Sequence, residues 1–213
     1  MKKIICFDVN GTLVKENSWH IFTCGDEEME KEIAEIFNGY YYGSKPIDQA
    51  WAELVSLLRK TGRATKEFIY NCWEESNSFQ DGAKEILRYL KDKEYSIYLI
   101  SCSIDIYLEC MVKSLGLDGF YAGSQLEFDE SGELSAIHSQ CIKGSQFKKE
   151  KLAELAEKEG VKIEDIVVVG DGNNDVGVFE MTKHGIAMGD KNDKLMACAW
   201  KQINSLSEIK QIL

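Results

Sequence analysis

Residues Ile4–Leu13 read IICFDVNGTL: four apolar residues closed by Asp8, then Val9 and an Asn10-Gly11 pair. A short, almost purely apolar run that stops at polar residues and glycine has the character of a strand buried on both faces, as in a parallel sheet. Three further runs are alike, at Ser96–Ser101, Ile166–Gly170 and Gly185–Met188, and Lys201–Asn204 offers a fifth. Between them the apolar positions recur at helical spacing. Ala83, Ile86, Leu87 and Leu90 follow an Asp81 N-cap; Ile104, Tyr107, Leu108, Met111, Val112 and Leu115 stop at Gly116, with the helix starting near Ser103. Strands alternating with helices predict an α/β fold, a doubly wound parallel sheet.

That alternation breaks after the first strand. Residues 14–80 hold no second buried run but three amphipathic segments. Ile33, Ile36 and Phe37 precede Asn38-Gly39; Trp51, Leu54, Val55 and Leu58 follow Pro46; Phe68, Ile69, Cys72 and Trp73 follow Thr65. A small α-helical domain inserted over 14–80 is the simple account, leaving 1–13 and 81–213 as the α/β core. Trp19, Tyr40, Trp51 and Trp73 make this insertion aromatic, and aromatics at such spacing serve mainly as core between helices. A smaller excursion, Gly123–Ile137, alternates around Asp129-Glu130-Ser131-Gly132 and predicts a β-hairpin.

Composition narrows the function. With 25 basic and 36 acidic residues the 213-residue chain carries a formal charge of −11, and no basic block offers a footprint for nucleic acid. No apolar run approaches the roughly 18 residues of a membrane span, and the run behind Met1-Lys2-Lys3 reaches Asp8 too soon for a signal peptide. Seven cysteines, an odd number without a C-x-x-C pair, indicate neither a zinc ribbon nor a complete disulfide framework. Buried or idle thiols in a reducing cytoplasm are the expectation.

In an open α/β sheet the site lies at the carboxyl ends of the strands. Asp8, Ser101 and Asp171 end three of the apolar runs, and two carboxylates beside a hydroxyl suit a hard cation with oxygen ligands. Taken singly, each residue has a plainer reading. Asp8 serves a turn, and Ser101 caps a helix. The segment Gly170–Asp175, GDGNND, fails as a dinucleotide fingerprint because Asp175 stands where a third glycine is needed. It fails as an EF-hand loop at Val176 and again at Thr182. On the helix after the hairpin, Lys148 projects with Leu152, Leu155 and Ala156, so it either meets an inward anion or reaches back to solvent along its stem.

Taken together these segments resemble the haloacid dehalogenase superfamily, most closely its phosphoserine-phosphatase-like branch. Asp8–Leu13, DVNGTL, resembles the first motif, D-x-D-G-T-L; Ser101 in ISCS the second; Lys148 the third; GDGNND the fourth. The resemblance implies an α/β core with a helical cap and a phosphatase activity. Asp8 would be the nucleophile that forms an aspartyl phosphate, with Mg²⁺ held by Asp8, the main-chain carbonyl of Asn10 and Asp171. Ser101, Lys148 and the loop amides at Gly11 and Thr12 would bind phosphate, with Asn174 close by, and Asp175 would orient Lys148. The partner implied is a small phosphorylated metabolite.

Three positions depart from the family pattern. Asn10 stands where a second aspartate protonates the leaving group and then activates water, so turnover is expected to be slow. An attenuated enzyme, an altered leaving group or acceptor, a substrate-trapping Asp-to-Asn change and a phosphometabolite-binding or phosphotransfer protein all fit that residue. In the cap, Asn17 occupies the position of a substrate-binding glutamate and Leu54 that of an arginine, with Arg59 and Arg63 nearby. Both changes weigh against phosphoserine as the substrate.

Overall fold

The computed structural model describes residues 2–75, 78–141, 144–189 and 192–213. Strand β1, Lys3–Phe7, lies at the middle of the sheet because Ile4, Ile5, Cys6 and Phe7 are all buried and need cover on both faces. It pairs in parallel with β2, Tyr95–Ile104, on one side and with β5, Ile166–Gly170, on the other. The remaining strands are β3, Gly119–Phe128, β4, Leu134–Ser139, β6, Gly185–Met188, and β7, Lys201–Ile203. Their order is β4-β3-β2-β1-β5-β6-β7, parallel throughout except for the β3/β4 pair. Helices α4, Ala83–Asp92, and α5, Asp105–Leu115, cover one face. Helices α6, Gly144–Glu159, and α7, Val176–Thr182, cover the other, over Ile4, Cys6, Ile100 and Val168.

Three local expectations need correction. The β2 strand continues past Ser101 to Ile104, so α5 begins at Asp105 rather than near Ser103. It is extended by pairing with β3 as far as Ile104↔Ser124, across a register shift after Ser101. The hairpin strand also starts earlier than Gly123. Its first half, from Gly119 to Ala122, is a parallel partner of β2, and only its second half pairs with β4. Asp81 does not cap α4: Gly82 precedes the helix, and the Asp81 carboxylate lies 2.8 Å from Lys15 Nζ.

Between β1 and α4 come a 3-10 turn at Ser18–Phe22 and helices α1, Glu27–Tyr41, α2, Ile47–Lys60, and α3, Lys66–Glu75. Asp26 caps α1 by accepting from the amides of Glu28 and Met29. The helices share a core of Ile33, Ala50, Leu54, Leu58 and Ile69, and Trp19 stacks on Trp51 with ring centres 5.0 Å apart. Their entry and exit chains are joined by Lys15 N–H to Ser78 O and Gln80 N–H to Leu13 O. The insertion also touches the hairpin. Leu134 N–H donates to Ala64 O at 2.7 Å, and Arg59 reaches both Asp129 and Glu133.

The cysteines hold a further correction. Cys24 and Cys72 form a disulfide with Cα atoms 5.3 Å apart, although 48 residues separate them. The pairing exists only because α3 packs against the 3-10 turn, a contact with no trace in local spacing. Cys6, Cys102, Cys110, Cys141 and Cys198 are thiols. Among the described residues no helix is long and apolar enough to cross a membrane.

Candidate active site

The register of the sheet builds the site. Phe7 lies level with Leu99 on one side and Val169 on the other, so the next residues of β1, β2 and β5 emerge at one edge. The Asp8 amide donates to Val169 O at 2.9 Å, which fixes the start of the loop. Beyond it the amides of Thr12, Leu13 and Val14 all turn back to Val9 O, and Gly11 N–H donates to Val14 O. Gly11 has φ +81°, and a Cβ there would stand 2.2 Å from Asp171 Oδ2. Both the left-handed backbone and the close approach of Asp171 therefore require glycine. Thr12 Oγ1 donates to Asp171 Oδ1 at 2.7 Å, tying the first loop to the end of β5.

Lys148 enters from α6 and is completely buried, as the inward face of that helix requires. Its ammonium lies 2.9 Å from Asp8 Oδ2 and 2.6 Å from Asp175 Oδ1. Asp175 is itself buried, and its other oxygen accepts from Gly172 N–H at 3.0 Å. Burial acts to lower the Lys148 pKa, but Asp175 and Asp8 outweigh it and hold the ammonium above its ordinary value. Burial likewise pushes Asp175 up, and Lys148 pulls it back. Asp171 is raised chiefly by burial.

Carboxylate oxygens of Asp8, Asp171 and Asp175 all lie within 4.8 Å of one another. Among the described residues Asp8 Oδ1 is one of two buried side-chain polar atoms without a hydrogen-bond partner. A buried, bare carboxylate oxygen beside a second carboxylate is costly, and an oxygen-only donor set of this kind fits a hard divalent cation.

Ser101 is buried and its hydroxyl lies 3.0 Å from Ser103 Oγ; Ser103 in turn donates to Asn10 Oδ1 at 3.3 Å. Ser103 was not among the residues singled out from sequence. Its signal is the Ser-Cys-Ser alternation, which puts Ser101 and Ser103 on one side of a strand that runs through both. The Asn10 oxygen also accepts the Ser18 amide at 2.9 Å. The expected amides of Gly11 and Thr12 are engaged within the turn, and Asn174 turns its amide toward Cys102 Sγ at 3.9 Å.

The cap positions differ from a carboxylate-gripping site. Leu54 is fully buried; Arg63 is spent on Phe22 O, Thr23 O and Asp26; Arg59 is spent on the hairpin. Asn17 caps the 3-10 turn through Trp19 N–H. It also lines a cavity of about 280 Å³ with Trp19, His20, Glu30, Ile33 and Phe37. A cleft of about 250 Å³ lies between α2 and the hairpin, lined by Trp51, Gly123, Gln125, His138, Ser139 and Gln140 among others.

Comparison with known proteins agrees with this geometry. The family model described as haloacid dehalogenase-like hydrolase matches residues 5–180. Phosphoserine phosphatase of Methanocaldococcus jannaschii is 29% identical over 185 residues, 84% of this chain and 82% of that protein. Phosphoserine phosphatase of Archaeoglobus fulgidus is 29% identical over 190 residues, 89% of this chain but 53% of that protein, so the chain spans about half of that relative. Among solved structures, a phosphoserine phosphatase in apo form superposes with a TM-score of 0.74 at 28% identity, covering 100% of both chains. A phospho-aspartyl intermediate analogue of phosphoserine phosphatase gives a TM-score of 0.72 at 27% identity, over 100% of this chain and 99% of the other.

Proposed function

The chain belongs to the haloacid dehalogenase-like hydrolase family, and from that premise we propose that it hydrolyses the phosphate monoester of a small metabolite through an aspartyl phosphate on Asp8. The observation that carries the reading is the Asp8 carboxylate: one oxygen is held by Lys148 at 2.9 Å, and the other is bare and buried at the sheet edge. A carboxylate so oriented is a nucleophile with one free oxygen. Asp8 attacks phosphorus, the bond to the ester oxygen breaks, and water later releases phosphate from the acyl phosphate. Lys148, kept cationic by Asp8 and Asp175, and the Ser101 hydroxyl stabilise charge on the phosphoryl oxygens. Asp8, Asp171 and the Asn10 carbonyl would hold Mg²⁺. When bound, that ion supplies neutralisation of the phosphoryl charge.

Asn10 bears on the rate. A carboxamide neither donates a proton to a leaving alkoxide nor takes one from water, so slow turnover is the expected state of this chain. Residues 14–80 act as the cap that admits the leaving group and excludes water. With Leu54, Arg59 and Arg63 unavailable to a carboxylate, and an aromatic-lined cavity beside Asn17, the leaving group is a metabolite other than serine. Hydrolysis of an aryl phosphate tests the reading: it should require Mg²⁺, stop with EDTA and vanish in Asp8→Ala. Activity indifferent to both would overturn it.

The same Asn10 favours a second reading, a phosphometabolite-binding protein that has lost turnover. Mg²⁺-dependent ligand binding with no hydrolysis even in Asn10→Asp would select it.

A further inference from the structure

Cys102 and Cys141 meet beside the site, and neither is used in the chemistry above. Cys102 follows Ser101 on β2, and Cys141 lies two residues beyond β4 on the chain leading to α6. Gly123 of β3 separates them. Its φ is not in the left-handed region, so the backbone does not demand glycine there. Space does: a Cβ on Gly123 would stand 2.1 Å from Cys141 Sγ and 3.1 Å from Cys102 Cα. The missing side chain is what lets the two cysteines approach over the strand. Gln140 N–H donates to Gly123 O at 2.8 Å and holds Cys141 against it.

Both thiols are partly buried rather than sealed, and the cleft of about 250 Å³ is lined by Gly123, Ser139 and Gln140. Their partial exposure leaves the two thiols open to a small oxidant. The surroundings also activate one sulfur. A hydrogen bond from Cys141 holds the Cys102 thiol below its ordinary pKa; burial opposes this and the Lys148 charge assists it, while Cys141 is raised. A thiol of lowered pKa next to a second cysteine is the arrangement of an attacking and a resolving pair.

We propose that Cys102 and Cys141 form a reversible disulfide when the protein meets hydrogen peroxide, and that this link switches off the adjoining site. The Cys102 thiolate attacks one peroxide oxygen, the O–O bond breaks, and hydroxide leaves as water once protonated. The sulfur, oxidised by two electrons, is then a sulfenic acid. Cys141 attacks that sulfur, the S–S bond forms, the S–O bond breaks, and a second water carries away the Cys141 proton. Two thiols and one peroxide become one disulfide and two waters.

The consequence follows from position. A disulfide imposes a Cα separation of about 5.5–6 Å. Here it would tie the residue after Ser101 to the segment that delivers Lys148, and remove the thiol that Asn174 Nδ2 faces at 3.9 Å. This loss of activity rests on the phosphatase reading, whereas the link itself does not.

The test is peptide mapping of the reduced chain before and after excess hydrogen peroxide, with aryl phosphate hydrolysis followed in the same samples. A Cys102–Cys141 peptide should appear, disappear with dithiothreitol, and be absent from Cys141→Ser and Cys102→Ser. Mapping separates it from Cys24–Cys72. Hydrolysis should fall at least about tenfold in step with the link and recover on reduction. Peroxide treatment that leaves residues 102 and 141 unlinked overturns the pair, and a link that leaves hydrolysis unchanged overturns the switch. If neither the untreated protein nor Asn10→Asp shows hydrolysis, the phosphatase reading fails and the map alone decides the pair.

Discussion

The side-chain oxygen of Asn10 accepts the backbone N–H of Ser18 at 2.9 Å, so Asn10 anchors the first turn of the inserted helical segment. The same oxygen accepts from Ser103 Oγ at 3.3 Å. Both bonds are of a kind that a carboxylate makes equally well. The loop geometry around residue 10 is therefore suited to aspartate, and on the phosphatase reading proposed above asparagine alters the proton chemistry while leaving the architecture in place.

It follows that Asn10→Asp should raise turnover of an aryl phosphate by one to several powers of ten, in line with the about 10²–10⁴-fold typical of general acid–base help. Thermal stability should change little, because the acceptor role toward Ser18 and Ser103 is kept. A steady-state comparison of kcat in the two proteins decides it, and an unchanged kcat would show that proton transfer does not limit this chain.

Lys148→Met should be strongly destabilising. The substitution keeps most of the volume but leaves Asp8 and Asp175 buried without their shared cation, the situation in which breaking a buried pair costs about 3–5 kcal/mol. Urea unfolding should show a loss of that size. A loss below about 1 kcal/mol would mean that the pair is far better solvated than its burial implies.

Divalent cation should stabilise the fold independently of any substrate. Asp8 and Asp171 come together with one Asp8 oxygen unsatisfied, so Mg²⁺ should raise Tm, with about 2.7 kcal/mol of stabilisation at 100 times Kd. Asp171→Asn should remove most of that shift. A Tm indifferent to Mg²⁺ in the parent chain would argue against a cation site here.

Asp105 should give stability a pH dependence of definite sign. Burial raises its pKa, and the amides of Ile106 and Leu126 that donate to Oδ1 pull it back only in part. Above the unfolded value of about 3.9 the folded chain then binds more protons at this site than the unfolded one, so this contribution is lost as pH rises. Asp105→Asn keeps the Oδ1 acceptor and removes the titration. Its Tm relative to the parent should therefore increase between about pH 4 and pH 7, and a flat difference would contradict the argument.

Much of the fold was legible because its signals are local. A strand covered on both faces must be apolar along its length, which exposed β1, β2, β5 and β6 as short runs, and their ends named Asp8, Ser101 and Asp171. Helical periodicity put Lys148 on the inward face of α6, where it is buried. The start of β3 was missed, since Phe120–Ala122 is an apolar run of only three residues, half-buried and cut short at Gly123. Asp81 looked like a helix cap because cap residues are read from type alone, whereas Lys15 holds its carboxylate elsewhere.

From sequence alone, then, came the alternating α/β order, the helical segment between the first two strands and the types of residue gathered at the sheet edge. Each depends on a chain's own periodicity and burial. Tertiary structure alone decided that Lys148 also reaches Asp8, that Asn10 ties Ser18 and Ser103, that Cys24 bonds Cys72, and that Cys141 reaches Cys102 across Gly123. Most of these partners are tens of residues apart or more along the chain, and which of them meet is set by the packing of whole elements, because no local pattern records what a side chain will face once the sheet closes.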